Sequence, residues 1–418
     1  MGYTDLTTTS QVVALVREGK QVSCLHEGES GEIILDVTPF YAEMGGEVGD
    51  TGTITSDGMR AVVSDTKAPE KGLVAHMVTV QTGSVEVGAT VEAAVDAQRR
   101  ARITRNHTCT HLLHAALRQV LGTHVKQAGS YVGPDRLRFD FTHFESLTPE
   151  QIAEIEQVAN DKIMAAIPTN IYETSLDQAR AAGVTALFGE KYGDVVRVVE
   201  ASEFSKELCG GCHVANTAEI GLVKIVSEGS VGANLRRIEA VTSYDALAYL
   251  NTFETQMKQL AAFLRVRPVD VPARVEANVA QIKELQTSQK AAQATASAGE
   301  LVNDLDSFVQ DVGYPLFIYR KDGLDSGAMR NLWDMVRDRL AAPGACVLAS
   351  DNGGTPLLLA AATDEAIAAG FNAGAVIKAI SREIKGGGGG KPSMAQAGGK
   401  DVNGLDAALD AARALLCK

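Results

Sequence analysis

At 418 residues and 45% hydrophobic content, the chain is too long for one ordinary core, and two to four globular domains are expected. No run of 18 or more apolar residues and no charged-then-apolar N-terminal signal occurs, so neither a membrane span nor a secretory leader is expected and the default address is cytoplasmic. A net charge of −13 excludes a surface coated in nucleic-acid-binding charge and confines any such contact to two locally basic stretches, residues 102–138 and 381–400.

From Thr4 to about Gln98, short β-branched segments between glycine turns, such as residues 31–37 and 85–95, predict the strands of a small β-barrel. The strand pattern begins within a few residues of Met1, as if the segment were cut from something longer. Residues 38–52 have the composition of a glycine-rich surface turn; with no lysine or helix start in the right place they are not a phosphate loop. Residues 102–121 turn helical, with Leu113, Leu117 and Val120 as an apolar stripe and Thr104 or Asn106 as the expected cap. Strand-like pieces follow at 127–132 and 136–141, then a helix opened by Thr148, Pro149 and Gln151. Further strands at 171–174, 195–199, 221–226 and 235–241 complete an α+β domain.

From Tyr244 to about Phe308 the pattern is purely helical. Leu250, Phe253, Met257, Leu260 and Leu264 space themselves as a coiled-coil seam, interrupted at Pro268 and Pro272 and resumed by Val275, Val279 and Ile282. A helical arm is expected. The last hundred residues predict an α/β unit, with strands at 316–319, 345–350 and 357–361, a hairpin turn at 352–355 and helices at 328–340, 364–371 and 373–384. A glycine-rich loop at 385–399, carrying Lys385 and Lys391, then leads to a terminal helix and would let a backbone approach an anion closely. The fold class is thus multi-domain α+β: barrel 1–100, α+β core 101–245, helical arm 246–310 and C-terminal α/β domain 311–418.

Two short motifs carry the chemistry. His107 and His111, four apart on a helix, reach one ion, and His114 falls on the same face as a third candidate. Cys209 and His213 bracket a flexible glycine turn that also holds Cys212. Six cysteines in so long a chain make no disulfide framework, and two within five residues favour metal. Together, His107, His111, Cys209 and His213 offer three imidazoles and a thiolate, a set suited to tetrahedral Zn2+. Four protein ligands would make zinc an organiser of the pocket; a labile ligand would let it act as a Lewis acid, and the sequence leaves both open.

With these residues in view, the chain resembles the C-terminal half of a bacterial alanyl-tRNA synthetase. Residues 35–52 resemble the family's barrel subdomain, 105–117 and 209–213 the two halves of its editing-site zinc motif, and 386–399 its C-terminal glycine-rich signature. The resemblance implies an ester hydrolase that deacylates Ser-tRNA(Ala) and Gly-tRNA(Ala), with His107, His111, Cys209 and His213 as zinc ligands and Thr110 and Gln127 as pocket residues near the mischarged aminoacyl group. It also implies tRNA contact and oligomer formation through the arm and last domain, and no alanine activation, since the aminoacylation region is absent from this sequence. Cys212 stands where the family more usually has threonine, and Cys109 where alanine is common, so Cys212 is a candidate to compete as a ligand or to be oxidised. A free-standing editing factor acting in trans and a tRNA-binding or oligomerisation module with a structural zinc are the rival readings. A DHH phosphoesterase, which shares the last domain type, is disfavoured because no Asp-His-His occurs.

Overall fold

The computed structural model describes residues 2–3, 5–70, 72–186, 193–303, 309–339 and 344–417. The expected element ends at Thr4, Phe308 and Leu340 lie outside them. The chain divides into two compact units, residues 1–260 and 261–418.

Nine strands open the first unit: β1 (Thr7–Arg17), β2 (Lys20–Val22), β3 (Cys24–His26), β4 (Ser30–Leu35), β5 (Gly52–Ser56), β6 (Met59–Glu70), β7 (Leu73–Thr82), β8 (Ser84–Glu86) and β9 (Thr90–Val95). The order β1-β4-β7-β6-β5-β9, with β9 pairing back to β1, closes a six-stranded antiparallel barrel. Closure removes the open sheet edges that would otherwise invite pairing with other chains. Alternation in each strand fills the barrel with Leu15, Ile33, Ile54, Ala61, Val78, Val80 and Ala93. His76 is also buried there. Its Nδ1–H donates to the Ile33 carbonyl at 2.7 Å, so Nε2 accepts from the Thr38 hydroxyl at 2.7 Å. Burial drives the pKa of this imidazole down to about 4, keeping it neutral.

A 25-residue helix, α1 (Ala97–Leu121), follows the barrel directly. It begins earlier than the stripe predicts because Asp96, not Thr104 or Asn106, is its cap and accepts from the Arg99 amide at 3.0 Å. Asn106 is instead a buried cross-link, donating to the Gly133 carbonyl and accepting from the Thr242 hydroxyl, each at 2.8 Å. Strands β10 (Gln127–Val132) and β11 (Leu137–Thr142) precede α2 (Pro149–Met164), whose capping box uses Thr148 and Gln151 as expected. Then come β12 (Asn170–Ser175), α3 (Leu176–Ala181), β13 (Val195–Ala201), β14 (Ser205–Leu208), β15 (Val223–Gly232) and β16 (Leu235–Thr242). These strands form two antiparallel sheets, β10-β11-β16-β15 and β12-β13-β14. Leu113 and Leu117 of α1 pack on Phe139, Phe141, Ile155 and Ile238 in one core, which fixes α1 against the larger sheet.

Helix α4 (Ser243–Leu264) spans the division between the units, and α5 (Val271–Asn303) belongs to the second. On α4, Leu247, Leu250, Phe253, Met257 and Leu260 are all exposed. The second unit continues with β17 (Val309–Asp311), β18 (Pro315–Arg320), α6 (Ser326–Arg339), β19 (Ala345–Asn352), β20 (Thr355–Ala362), α7 (Asp364–Ala368), α8 (Ala373–Ile380), β21 (Gly387–Lys391), β22 (Met394–Gly398) and α9 (Leu405–Leu416). Its sheet, β17-β18-β19-β20-β22-β21, is antiparallel except for β18 against β19. Odd and even residues of β19 serve different cores. Val347 and Ala349 meet α8 and α9, whereas Cys346 and Leu348 meet Trp333 and Val336 of α6. Residues 387–391 and 394–398 of the expected anion loop are therefore a β-hairpin. Glycine, with no side chain to pack, hides a strand from a propensity reading.

Candidate metal centre

Two local structures bring the ligands together. The helical offset places His107 and His111 on one face of α1, as the spacing predicts. Opposite, the turn after β14 is pinned by Arg197, whose Nη1 donates to the carbonyls of Cys209 at 2.9 Å and Gly211 at 2.8 Å. A side chain at Gly211 would lie 2.1 Å from the His107 ring and 2.4 Å from the Glu47 carboxylate, so only glycine lets the turn close. The donor atoms of His107, His111, Cys209 and His213 then lie within 4.8 Å of one another.

The hydrogen bonds around the group set its tautomers. Glu47 accepts from Nδ1 of His107, and the Nε2 of that ring lies 3.4 Å from Cys209 Sγ. Thr108 donates its hydroxyl proton to the Thr104 carbonyl at 3.0 Å, so it accepts from His213 Nδ1 at 3.1 Å; His213 Nε2 then sits 3.3 Å from the same sulfur. The Nε2 atoms of both rings thus converge beside Cys209. His111 Nδ1 is buried and has no partner among the described residues.

Electrostatics point the same way. Burial opposes a charge on Cys209, but His107, His213 and His111 outweigh it and hold the thiol well below its ordinary range. Burial also opposes charge on His107, yet Cys209 and Glu47 raise its pKa to about 10. His213 is pushed down to about 3, first by burial and then by His107. A thiolate ringed by imidazoles is a cation site whose charge is balanced by a proton in the metal-free protein.

A tetrahedral site built from imidazole nitrogen and thiolate has donor–donor edges of roughly 3.3–3.6 Å, from bond lengths of ~2.0–2.1 Å to nitrogen and ~2.3 Å to sulfur. The S···N separations of 3.3 and 3.4 Å lie within about 0.3 Å of the longer, S···N edge, so small side-chain adjustments let the residues fit a metal of this type. His114 stands apart: its Nδ1 meets Glu207 at 2.9 Å. Cys212 also lies outside the group. Its sulfur faces the Gly2 carbonyl at 3.5 Å, and burial followed by Glu47 raises its pKa, leaving a neutral thiol. Cys109 is packed in the core among Leu112, Leu113 and Phe139.

His107, His111 and Cys209 of the group form one wall of a cleft that encloses, with its open mouth, about 580 Å³ of empty space. Thr110, Gln127, Ser130, Tyr41 and Glu207 line it too. Thr110 gives its hydroxyl proton to the Asn106 carbonyl at 2.8 Å and so offers the cleft an acceptor. Glu207 is held below the ordinary carboxylate range: burial would raise it, but His111 and His114 outweigh burial.

Sequence reasoning missed the residues behind this wall. Residues 38–52 are not a surface turn: Phe40, Tyr41, Glu47 and Asp50 are all buried, Glu47 to 1% exposure. Glu47 also accepts from the Cys212 amide at 2.9 Å, so one carboxylate fixes both the helix and the turn. Asp50 accepts from the Arg100 Nε at 2.9 and 3.0 Å and from the Tyr41 amide at 2.7 Å. An acid in a glycine-rich segment gives no hint of this, because Arg100, His107 and Cys212 lie 50 to 165 residues away from the acids they meet.

Family models place both the barrel and part of the α+β core among the aminoacyl-tRNA synthetases. Residues 1–99 match the family described as tRNA synthetases class II (A), residues 196–239 the threonyl and alanyl tRNA synthetase second additional domain, and residues 313–418 the DHHA1 domain. Over 98% of its length the chain is 44% identical to the alanine--tRNA ligases of Acetivibrio thermocellus and Geobacillus kaustophilus and 45% identical to that of Exiguobacterium sibiricum, covering 46% of each. The chain is therefore related throughout to the alanyl-tRNA synthetases and corresponds to their C-terminal half; it spans about half the length of these relatives. The crystal structure of the C-Ala domain from Aquifex aeolicus alanyl-tRNA synthetase aligns at 29% identity over 26% of this chain and 96% of that one, with a TM-score of 0.24, too low to bear on the fold.

Proposed function

We propose that the chain hydrolyses the ester bond of Ser-tRNA(Ala) and Gly-tRNA(Ala), with Zn2+ held by His107, His111, Cys209 and His213. The observation that carries this reading is the shared cleft: His107, His111 and Cys209 of the ligand group, Thr110, Gln127 and an ionised buried carboxylate face one space. Zinc with four protein ligands would supply a fixed positive wall for that space. Thr110, as an acceptor, would take the hydroxyl of a seryl group that alanine lacks, the kind of contact that discriminates strongly. Gln127 would position the ester carbonyl, and Glu207, ionised, would orient the attacking water as an acceptor.

In this reading, residues 1–100, 101–245, 246–310 and 311–418 serve as barrel, editing core, arm and tRNA-contacting domain in the cytoplasm. No helix among the described residues is long and apolar enough to cross a membrane. The test is deacylation of Ser-tRNA(Ala) beside Ala-tRNA(Ala), with metal analysis of wild type and Cys209→Ala. Seryl ester should be cleaved, alanyl ester spared, and both metal and activity lost in the variant. Failure to cleave the seryl ester sinks the proposal. A second reading, a tRNA-binding and oligomerisation module with a structural zinc, is favoured by the exposed apolar face of α4. It predicts that His107→Ala lowers stability without touching any rate.

A further inference from the structure

Beyond the cleft, where α1 gives way to β10 and where β11 ends, three aromatic rings meet. His124 Nε2 and His143 Nδ1 share a hydrogen bond of 2.9 Å, and their planes lie only 25° apart. Joined at their edges, the two imidazoles form one broad, nearly flat surface. The Phe144 ring shingles onto both, with centroids 5.4 Å from His124 and 4.9 Å from His143 and interplanar angles of 30° and 28°. These separations are those of offset-stacked rings. His143 is the floor, at 8% exposure; His124 is exposed, and Phe144 stands 67% open to solvent.

The tile is held rigidly. Thr142 donates its hydroxyl to the His124 carbonyl at 2.8 Å and accepts from the Lys126 amide at 3.0 Å, and the His143 amide donates to the Asn234 carbonyl at 3.0 Å. Burial and the neighbouring His124 keep His143 below its ordinary pKa, so the floor is neutral near pH 7. Nothing in the core needs Phe144: the packed cluster behind it is closed by Phe141 and Leu147.

Its position gives the tile a direction. His124 is three residues from Gln127, which lines the cleft, and three residues span at most roughly 11 Å. Lys126, exposed between them, adds a cation along that path. A polymer whose terminal ribose ester occupied the cleft would have this surface within reach of its preceding unpaired residues. Flat rings with polar edges, next to a cation, are how single-stranded nucleic acid is gripped without a sequence code.

We infer that His124, His143 and Phe144 form a stacking platform for an unpaired base near the 3′ end of the RNA whose ester enters the cleft. The inference rests on the proposed hydrolase reading for the polymer's identity, but its test does not depend on turnover. The full chain is titrated with a hairpin RNA bearing a four-nucleotide unpaired 3′ tail and with the same hairpin bearing an abasic tail. Phe144→Ala, alone and with His124→Ala, should weaken binding of the tailed hairpin by roughly 5- to 150-fold and leave the abasic hairpin unchanged. Phe144→Tyr should restore binding. A 2-aminopurine in the tail should be quenched by wild type and not by Phe144→Ala; unchanged circular dichroism and metal content exclude misfolding.

Equal losses on both tails, no loss on either, or no binding of the tailed hairpin by wild type would each overturn the platform; unchanged binding would assign the open ring to a protein contact. If wild type deacylates Ser-tRNA(Ala) but Phe144→Ala binds the tail normally, the platform falls and the hydrolase stands. If tail binding depends on Phe144 while no ester is cleaved, the platform stands and the hydrolase falls.

Discussion

The chain contains two glycine-rich stretches of similar appearance and opposite fate. Residues 38–52 become a buried strut that delivers Glu47 and Asp50 to the core, whereas residues 386–399 become a hairpin whose outer strand, β21, is the exposed edge of the second unit's sheet. In the strut, glycines make room for something else: a side chain at Gly49 would lie 2.1 Å from the Thr66 carbonyl, and one at Gly46 would lie 2.5 Å from that of Ser130. In the hairpin, glycines make room for the neighbouring strand: side chains at Gly388 and Gly390 would lie 2.0 and 2.2 Å from carbonyls of β22, and side chains at Gly387 and Gly389 would meet nothing. Glycine content alone therefore says that backbone comes close. What it comes close to is decided by the few side chains between the glycines.

The largest break in this contrast should come from Asp50. Its carboxylate and the Arg100 guanidinium are both buried, at 2% and 5% exposure of their side chains. Removing one partner strands the other charge, which typically costs about 3–5 kcal/mol. Asp50→Ala should lower unfolding free energy by that order in denaturant titration. Lys385→Ala breaks the equivalent-looking pair with Asp401 that flanks the other stretch, where the lysine is exposed, and should move stability by less than about 1 kcal/mol. Similar losses from the two changes would erase the distinction between strut and hairpin.

His76 ties the start of the strut to the barrel through Thr38, and its neutrality gives a pH signature. The folded protein holds its pKa at about 4, while the unfolded chain has an ordinary value near 6.5. Between those values the unfolded state binds the proton and the native state does not. His76 thus contributes full stability above about 6.5, and that contribution is lost as pH falls toward 4. By pH 4.5 the loss should be roughly 2–3 kcal/mol. Chemical denaturation of wild type and His76→Gln at pH 7.5 and 4.5 isolates it, since slopes from other groups are common to both; a variant slope equal to wild type would contradict the assignment.

Glu47 is where the strut touches function. It orients His107 and holds the Cys212 amide, and losing such an outer carboxylate typically lowers metal affinity about 10- to 100-fold. Glu47→Ala should weaken zinc binding by that factor in a chelator competition, with Glu47→Gln weaker than wild type but better than alanine. An unchanged affinity would reduce Glu47 to packing.

How much of this was legible depends on range. The i, i+4 histidines and the Cys209–His213 turn are local patterns, so their residues could be named from spacing, and β-branched alternation disclosed the barrel. Glu47 reaches His107 across 60 residues and Cys212 across 165, distances over which one sequence holds no signal. Strand β21 was hidden for another reason: five residues, four of them glycine, carry no side-chain pattern, and only pairing with β22 makes them a strand. The start of α1 was misjudged because a strong cap, Asp96, sits upstream of the apolar stripe that drew attention to the helix.

The smallest effect is the most discriminating within the hairpin. Gly388→Ala would place its Cβ 2.0 Å from the Gln396 carbonyl and 2.4 Å from the Ala397 Cα, backbone atoms that cannot yield without parting the strands. Gly389→Ala meets nothing within 4 Å and sits outside the left-handed region. Gly389→Ala should therefore be neutral or stabilise by up to about 1 kcal/mol through the unfolded state, while Gly388→Ala should cost about 1 kcal/mol and speed amide exchange along β22. Because β21 is an exposed edge, that damage should stop at β22 and leave exchange in β19 unchanged. A Gly388→Ala protein that exchanged like wild type would mean that the hairpin is not paired in solution, and the second glycine-rich stretch would return to being a loop free to meet an anion.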